Sequence, residues 1–288
     1  MNLERWLPVV IIGAPRSGTN ILREVLIRLP KVGTWPCDEI NYIWRHGNMS
    51  YPSDEFPPEL AKHNVKSYIR KNFEKIAKNY NLDIVIEKTC ANSLRVPFVD
   101  CVIPEALYIF IRRDGIDAIA SIIRRWKANL NIFYILRKTR FVPLSDIPYY
   151  ALSYLGNRIY RIVSKNKRLA YWGPRIEGMD NLLASYDLEK VCGLQWKQCV
   201  DATTKAFENM SSNKYIEVSY EDFVQNPEGE LKKIVRFLGL SVNSLVLKKA
   251  VYDVNDRNVG KGYVELKKET IDRLFPLIED TMKHHGYA

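Results

Sequence analysis

A short glycine-containing loop near the start of the chain constrains the fold more than any other feature. Residues 11–20 read Ile-Ile-Gly-Ala-Pro-Arg-Ser-Gly-Thr-Asn, and the apolar run that ends at Ile12 predicts a buried strand. Apolar residues at helical spacing follow the loop, at Ile21, Leu22, Val25, Leu26 and Leu29. Gly13 and Gly18 permit a sharp turn, so backbone amides and the helix N-terminus can point together at a phosphate or sulfate. The sequence therefore predicts an anion-binding turn between a strand and a helix.

The loop departs from the phosphate-binding loop of nucleotide triphosphatases, which reads G-x-x-x-x-G-K-[ST]. Thr19 stands directly after Gly18, where that motif has lysine, and the basic residue Arg16 lies inside the loop. This difference disfavours ordinary ATP binding. Taken alone, the loop leaves open a second interpretation, in which a tight turn only joins a strand to a helix.

A second apolar run, residues 107–111, leads into a further set of anion-binding side chains. It is followed by Arg113 and Asp114 and then by a helical pattern that contains Ser121 and Arg125. Asp114 is suited to cap that helix, and Ser121 and Arg125 lie one turn apart on it. We expect Arg113, Ser121 and Arg125 to converge on one dianionic phosphate, because a guanidinium donates to two oxygens at once. The alternative is a capped amphipathic helix with a solvated basic face.

Together the two motifs resemble the 5'-phosphosulfate loop and the 3'-phosphate motif of sulfotransferases, which use 3'-phosphoadenosine 5'-phosphosulfate (PAPS). The likeness is nearest to the branch of tyrosylprotein and bacterial carbohydrate sulfotransferases. It extends from about Pro8 to Gly286 and weakens between Trp126 and Leu194. The resemblance implies a P-loop-type α/β fold with three layers, in which helices flank a central parallel sheet. It also implies PAPS as the co-substrate, with no metal ion.

The resemblance also implies which residues bind PAPS. They are Arg16, Ser17, Gly18, Thr19, Asn20, Arg113, Ser121, Arg125, Tyr220, Lys261 and Gly262. Tyr220 follows a strand-like run that ends at Ser219 and would lie near the adenosine, although a half-buried core tyrosine is an equally good interpretation. Lys261 and Gly262 belong to residues 258–263, a segment that resembles the glycine-rich loop closing over PAPS in relatives. An ordinary turn before the last helix is the alternative there.

Three residues are implied as catalytic, namely Glu39, Lys88 and Arg16. Glu39 aligns with the glutamate that serves as general base in that branch, and we expect it to take the proton of the acceptor hydroxyl. Lys88, in a Glu-Lys-Thr element, and Arg16 would stabilise the sulfuryl oxygens and the departing bridge. His46 is the competing base, because cytosolic small-molecule sulfotransferases use histidine, but the motif around it differs. For Glu39 the alternative is an exposed loop carboxylate.

Length and apolar runs predict one catalytic domain over residues 1–288. The chain's 288 residues, 47% of them hydrophobic, suffice for one large α/β core. Apolar runs alternate with helical patterns and end near Ile12, Glu87, Ile111 and Ser219. This alternation favours a parallel sheet with the functional site at the carboxyl ends of its strands. Residues 126–194 are predicted to form a helical insertion on the acceptor side.

The start of the chain and its cysteines indicate a reducing compartment. The first six residues lead directly into the first core strand, so we expect neither a cleaved signal peptide nor a spanning helix. Five cysteines, an odd number without paired C-x-x-C spacing, favour reduced thiols over a zinc site. The expected location is the cytoplasm, with peripheral contact at the inner membrane surface as an option.

A strongly basic stretch covers residues 112–175, with fourteen Lys and Arg against three Asp in a chain of net charge +10. Beyond PAPS, this charge would suit an anionic glycan or an anionic membrane surface, unless it is an ordinary solvated face. Residues 172–175, Trp-Gly-Pro-Arg, resemble a segment of bacterial members and would line the acceptor cleft, since indole faces suit sugar rings. The acceptor does not follow from these residues, because fold and donor site are shared across acceptors. We expect a glycan or glycolipid hydroxyl, since a tyrosyl peptide is disfavoured by the expected lack of a secretory signal, and no nucleic-acid partner.

Two other classes of function fit parts of the pattern. One is a P-loop kinase, which the absent Gly-Lys-Ser/Thr element and the motif between Arg113 and Ser121 disfavour. The other is a non-catalytic basic protein that keeps a nucleotide-binding fold and binds nucleic acid or a membrane.

Overall fold

A parallel sheet forms the centre of the fold. The computed structural model describes residues 6–128, 143–148, 152 and 171–287. Its strands are β1 Leu7–Ile12, β2 Val32–Thr34, β3 Ile84–Lys88, β4 Leu107–Arg112 and β5 Tyr215–Ser219. They pair in the order β2-β3-β1-β4-β5, and every pairing is parallel. The predicted α/β class with a central parallel sheet is confirmed.

Helices follow or separate the strands throughout the described part of the chain. They are α1 Thr19–Leu26, α2 Asn41–Arg45, α3 His63–Tyr80, α4 Val96–Val102, α5 Gly115–Lys127, α6 Met179–Ser185, α7 Leu188–Glu208, α8 Tyr220–Gln225, α9 Pro227–Phe237, α10 Ser244–Ala250, α11 Lys261–Glu265 and α12 Lys268–His284. Short 3-10 helices occupy Pro58–Leu60, Cys90–Leu94 and Leu144–Asp146. Across these described ranges, no helix combines the length and the apolar character that crossing a membrane requires.

The sheet lies between two helical layers because successive side chains of a strand point to opposite faces. Val10 and Ile12 of β1 belong to an apolar cluster with α3, α4, α5, α7 and α12. Val9 and Ile11 belong to a second cluster with α1, α8, α9 and α10. All four β1 residues are fully buried, as expected for a central parallel strand covered on both faces. The result is the three-layer arrangement that the sequence predicts.

Parallel pairing brings the loops after β1, β3, β4 and β5 to one edge of the sheet. Ile11 pairs with Lys88, and Arg112 pairs with Ser219, so the strands end close to the same level. Open α/β sheets bind ligands at this carboxyl edge. The loop between β1 and α1 and the residues that follow β4 and β5 are therefore placed to share one site.

The structure describes only part of the middle of the chain. About half of the predicted insertion over residues 126–194 lies outside the described ranges. Its described end contains α6 and the first two turns of α7, and Leu188, Val191 and Cys192 of α7 lie in the apolar core. The insertion and the single-domain division remain predictions.

Candidate active site

The loop between β1 and α1 adopts a left-handed backbone at two positions. Arg16 has φ 69° and Gly18 has φ 92°. A Cβ atom at Gly18 would lie 2.4 Å from Cδ2 of Tyr220, so both the backbone angle and the contact require glycine there. The turn delivers the chain into α1 at Thr19, where the first helical amides lack intrahelical partners. The predicted strand, turn and helix are confirmed, and anion binding by the turn remains a prediction.

Two arginines connect this loop to the helix after β4. The Arg16 Nε–H donates to Ser121 Oγ at 2.9 Å. The Arg113 guanidinium donates to the Arg16 carbonyl at 3.1 Å and stacks on the Tyr220 ring, 4.4 Å from its centroid. Arg113 is 7% exposed, so its charge lies inside the site and not on a solvated face. The arrangement places two guanidinium groups and one hydroxyl around a common space.

Asp117, in the first turn of α5, organises residues 258–262, which lead into α11 and form its start. Its carboxylate accepts hydrogen bonds from the amides of Gly260 at 2.8 Å and Gly262 at 2.6 Å, and pairs with Arg113 at 3.3 Å. Arg113 in turn donates to the carbonyl of Asn258. This segment is thereby held against the arginine cluster by charge-assisted hydrogen bonds.

A second group of charges surrounds the end of β3. The buried Lys88 ammonium donates to Asp38 Oδ1 at 2.8 Å and to Glu39 Oε1 at 3.1 Å. Arg23 also donates to Asp38 Oδ1, at 2.6 Å. Burial lowers the pKa of Lys88, but the negative charges of Glu39 and Asp38 outweigh that effect and raise this pKa above its usual value. Lys88 is therefore a cation at neutral pH, held beside the Glu39 carboxylate.

One cavity of about 820 Å³ joins the two charged groups. The predicted site residues that line it are Arg16, Gly18, Thr19, Asn20, Glu39, Lys88, Arg113, Ser121, Arg125, Tyr220 and Lys261. Ser17 and Gly262, also predicted site residues, do not line the cavity. Ser17 is fully buried, and its Oγ has no hydrogen-bond partner among the described residues.

His46, the competing base, does not line the cavity. Its Nδ1 lies 2.9 Å from Asp146 Oδ2, and its ring packs on Tyr68 with centroids 3.9 Å apart. Further polar residues that the sequence interpretation did not single out as ligands also line the cavity, among them Asp38, Asp117 and Asn258. Asp38 directly precedes Glu39 in the sequence. This adjacency is the local signal from which a role for Asp38 at the site could have been predicted.

An aromatic wall closes another side of the cavity, formed by Tyr171 and Trp172. The backbone of Arg175 bonds to Asp54 twice, with its carbonyl accepting at 2.7 Å and its amide donating to the carboxylate at 2.8 Å. Gln195 of α7 donates to the carbonyl of Trp172 at 3.0 Å. These buried partners fix the wall's position relative to the charged groups.

No group of three or more His, Cys, Asp and Glu in the described residues is arranged to hold a metal ion. The cationic side chains that line the cavity are arginines and lysines, which suit phosphate and sulfate oxygens.

A family model for the sulfotransferase family matches residues 8–146 and 157–244. The chain belongs to the sulfotransferase family. The match includes the β1–α1 loop, Lys88, Arg113 and Tyr220, so the predicted family and its transferase activity are confirmed. The nearest branch within the family remains a prediction.

Solved sulfotransferases share this fold at low sequence identity. The sulfotransferase domain from the curacin biosynthetic pathway has a TM-score of 0.56 and 12% identity, with 99% of each chain covered. Sulfotransferase STF9 from Mycobacterium avium has a TM-score of 0.55 and 11% identity, covering 97% of this chain and 76% of that one. Sulfotransferase STF1 from Mycobacterium tuberculosis H37Rv has a TM-score of 0.50 and 14% identity, covering 94% and 76%. A comparison with curated proteins gives no match.

Proposed function

We propose that this sulfotransferase moves a sulfuryl group from PAPS to a hydroxyl of a glycan or glycolipid, with Glu39 as general base. The observation that carries the proposal is the single cavity in which the Arg16–Arg113 cluster faces the Glu39–Lys88 pair. A donor with two phosphate groups needs cations at two places, and the acceptor hydroxyl needs a base close to the sulfur.

The donor fits the cluster through both of its phosphate groups. In the proposed complex the amides of residues 17–20 hold the 5'-phosphate, and Thr19 and Asn20 add side-chain donors. Arg113, Ser121 and Arg125 hold the 3'-phosphate, because all three line the same side of the cavity on and before α5. Tyr220 is buried in the core, but it also lines the cavity beside Arg113 and is proposed to lie near the adenosine.

The reaction requires in-line attack of the acceptor oxygen on sulfur. Glu39 takes the acceptor's proton, the new O–S bond forms, and the bond between sulfur and the bridging phosphate oxygen breaks. Adenosine 3',5'-bisphosphate (PAP) leaves with the electron pair of that bond. Lys88 and Arg16 stabilise the charge that develops on the sulfuryl and bridging oxygens, and positioning supplies most of the remaining catalysis.

The aromatic wall supports the proposed acceptor class. Tyr171 and Trp172 line the cavity that also contains Glu39, and flat aromatic faces suit the C–H faces of sugar rings. The basic stretch over residues 112–175 favours an acceptor that carries negative charge or sits near an anionic surface. We propose a cytoplasmic enzyme that acts in solution or in peripheral contact with a membrane.

The segment before α11 is proposed to close over the bound donor, and Gly262→Ala tests this role. A Cβ there would lie 2.5 Å from the Ile116 carbonyl oxygen and 2.7 Å from Asp117 Cα, so α11 must move away from α5. Overpacking of this kind destabilises the local packing by about 1 to 3 kcal/mol. Because the displaced segment is the one proposed to close over the donor, we expect PAP affinity to fall about tenfold. Calorimetry measures it, with Val264→Ala on the exposed side of α11 as the matched control. Parent-like PAP affinity in Gly262→Ala would contradict the closing role.

Transfer of label from radiolabelled PAPS tests the function as a whole. The acceptors offered are a bacterial glycan fraction, a glycolipid fraction and a tyrosyl peptide. We expect label in the carbohydrate fractions, and release of PAP in proportion. Label in the peptide alone would overturn the proposed carbohydrate acceptor. Transfer of the γ-phosphate of ATP in the presence of magnesium, with no transfer of sulfate, would overturn PAPS as the donor.

A further inference from the structure

The carboxyl end of β3 carries a buried polar network beside Lys88. Glu87 is completely buried, and both of its carboxylate oxygens accept hydrogen bonds. The Thr89 hydroxyl donates to Oε1 at 2.5 Å, and the Asn92 amide donates to Oε2 at 2.8 Å. Burial raises the pKa of Glu87 to about 7. A buried carboxyl group costs stability, so its two fixed donors and the nearby Arg95 are needed to offset that cost.

The Thr89 hydroxyl has a second partner on a different element. Its Oγ accepts a hydrogen bond from the backbone amide of Ile40 at 3.1 Å, and both groups are buried. A hydroxyl has one hydrogen to donate. Because the Thr89 hydroxyl donates that hydrogen to Glu87, a lone pair of Thr89 Oγ accepts from the Ile40 amide. Glu87 thus orients the Thr89 hydroxyl, which accepts the hydrogen bond from the Ile40 amide.

Ile40 is the residue directly after Glu39, and it begins the turn into α2. We call residues 36–40 the base loop. The Glu39 carboxylate contacts Lys88 at 3.1 Å and the Cys90 amide at 3.5 Å, so its partners flank Thr89 in sequence. The Ile40–Thr89 bond therefore attaches the base loop to the strand end that also presents Lys88. A shift of that bond moves the Glu39 carboxylate relative to Lys88.

We propose that Glu87 and Thr89 are positioning residues that fix the base loop through the Ile40 amide and thereby hold Glu39 at its place in the reaction. This inference depends on the proposed function, because it assigns a support to the proposed base. Neither Glu87 nor Thr89 lines the cavity, so both act through Glu39 and not on the substrates.

Residue-resolved hydrogen exchange tests the Ile40–Thr89 hydrogen bond, which we call the clamp, without any substrate. Thr89→Val removes the hydroxyl at nearly constant volume, and Thr89→Ser keeps it. We expect the Ile40 amide to exchange faster in Thr89→Val than in the parent, and at close to the parent rate in Thr89→Ser. Exchange of amides in β5, three strands away from β3 in the sheet, reports whether global unfolding has changed. An unchanged Ile40 rate in Thr89→Val would overturn the clamp.

Turnover tests whether the clamp positions the base. With PAPS and octyl β-D-glucopyranoside as the acceptor probe, we expect Thr89→Val to lower kcat by about 10- to 100-fold. The affinity for PAP should stay at the parent value, because the donor cluster is separate. Glu87→Gln is also expected to lower kcat. The Gln amide nitrogen is itself a donor, so it would face either the Thr89 hydroxyl or the Asn92 amide, and that hydrogen bond would be lost.

A double variant separates this role from a merely structural one. In a Glu39→Gln background, Thr89→Val is expected to cause no further loss of kcat, because both changes remove the same function. An equal loss in both backgrounds would overturn positioning through Glu39. If the parent sulfates no carbohydrate acceptor, the proposed function fails, while the Ile40 exchange measurement still decides the clamp.

Discussion

Glu39→Gln is expected to lower kcat by about 100-fold or more while PAP binds as it does to the parent. The amide keeps the size and one acceptor oxygen but does not take a proton at neutral pH. Its contact with Lys88 is also weakened, because a neutral amide no longer balances that buried ammonium. Steady-state kinetics with PAPS and a carbohydrate acceptor measures kcat, and calorimetry with PAP measures donor binding.

Glu59→Gln is the matched control for this substitution. Glu59 is an exposed glutamate of the 3-10 helix Pro58–Leu60, and it does not line the cavity. We expect its kcat to equal that of the parent. A Glu39→Gln enzyme with parent kcat would show that another group takes the proton, and His46→Gln would then be the variant to measure.

Arg113→Met is expected to weaken PAP binding by about 100-fold, since breaking a buried charged contact costs 2 to 5 kcal/mol. Arg113 is also the group that joins the Arg16 carbonyl, the Asn258 carbonyl and Asp117. Its removal therefore takes away a proposed ligand of the 3'-phosphate and loosens the segment that closes over the donor. Calorimetry with PAP at fixed salt measures the loss.

Arg236→Met provides the comparison, because Arg236 is an exposed arginine in the last turn of α9 and away from the cavity. Its PAP affinity should match that of the parent. The melting temperature of each variant distinguishes lost binding from lost folding. Parent-like PAP affinity in a folded Arg113→Met protein would mean that the 3'-phosphate is not bound where we propose.

Local patterns were sufficient to predict the elements that build the donor side. The apolar run before Gly13 and the helical spacing after it are short-range signals, and β1 and α1 lie where they indicate. Asp114 caps α5 by accepting from the Asp117 amide, as its place before the helix predicts. By contrast, β2 is only three residues long and too short to show an alternating or apolar pattern, so the sequence interpretation missed it.

Contacts between distant parts of the chain could not be predicted in this way. The Asp117 carboxylate binds two amides near the C-terminus, and Thr89 accepts from the amide of Ile40. Each bond joins elements that meet only after the sheet and helices have assembled, and neither leaves a periodic signal in the sequence. Asp38 shows the same limit, because its partners Arg23 and Lys88 come from α1 and β3.

Comparing the affinities of the parent protein for PAP and for adenosine 5'-monophosphate tests the central claim most directly. The two nucleotides differ only in the 3'-phosphate, which we assign to Arg113, Ser121 and Arg125. We expect PAP to bind at least about 30-fold more tightly, because a buried, hydrogen-bonded charged contact is worth 2 kcal/mol or more. Equal affinities, or no binding of PAP at all, would contradict a cavity built to hold this donor at both of its phosphates.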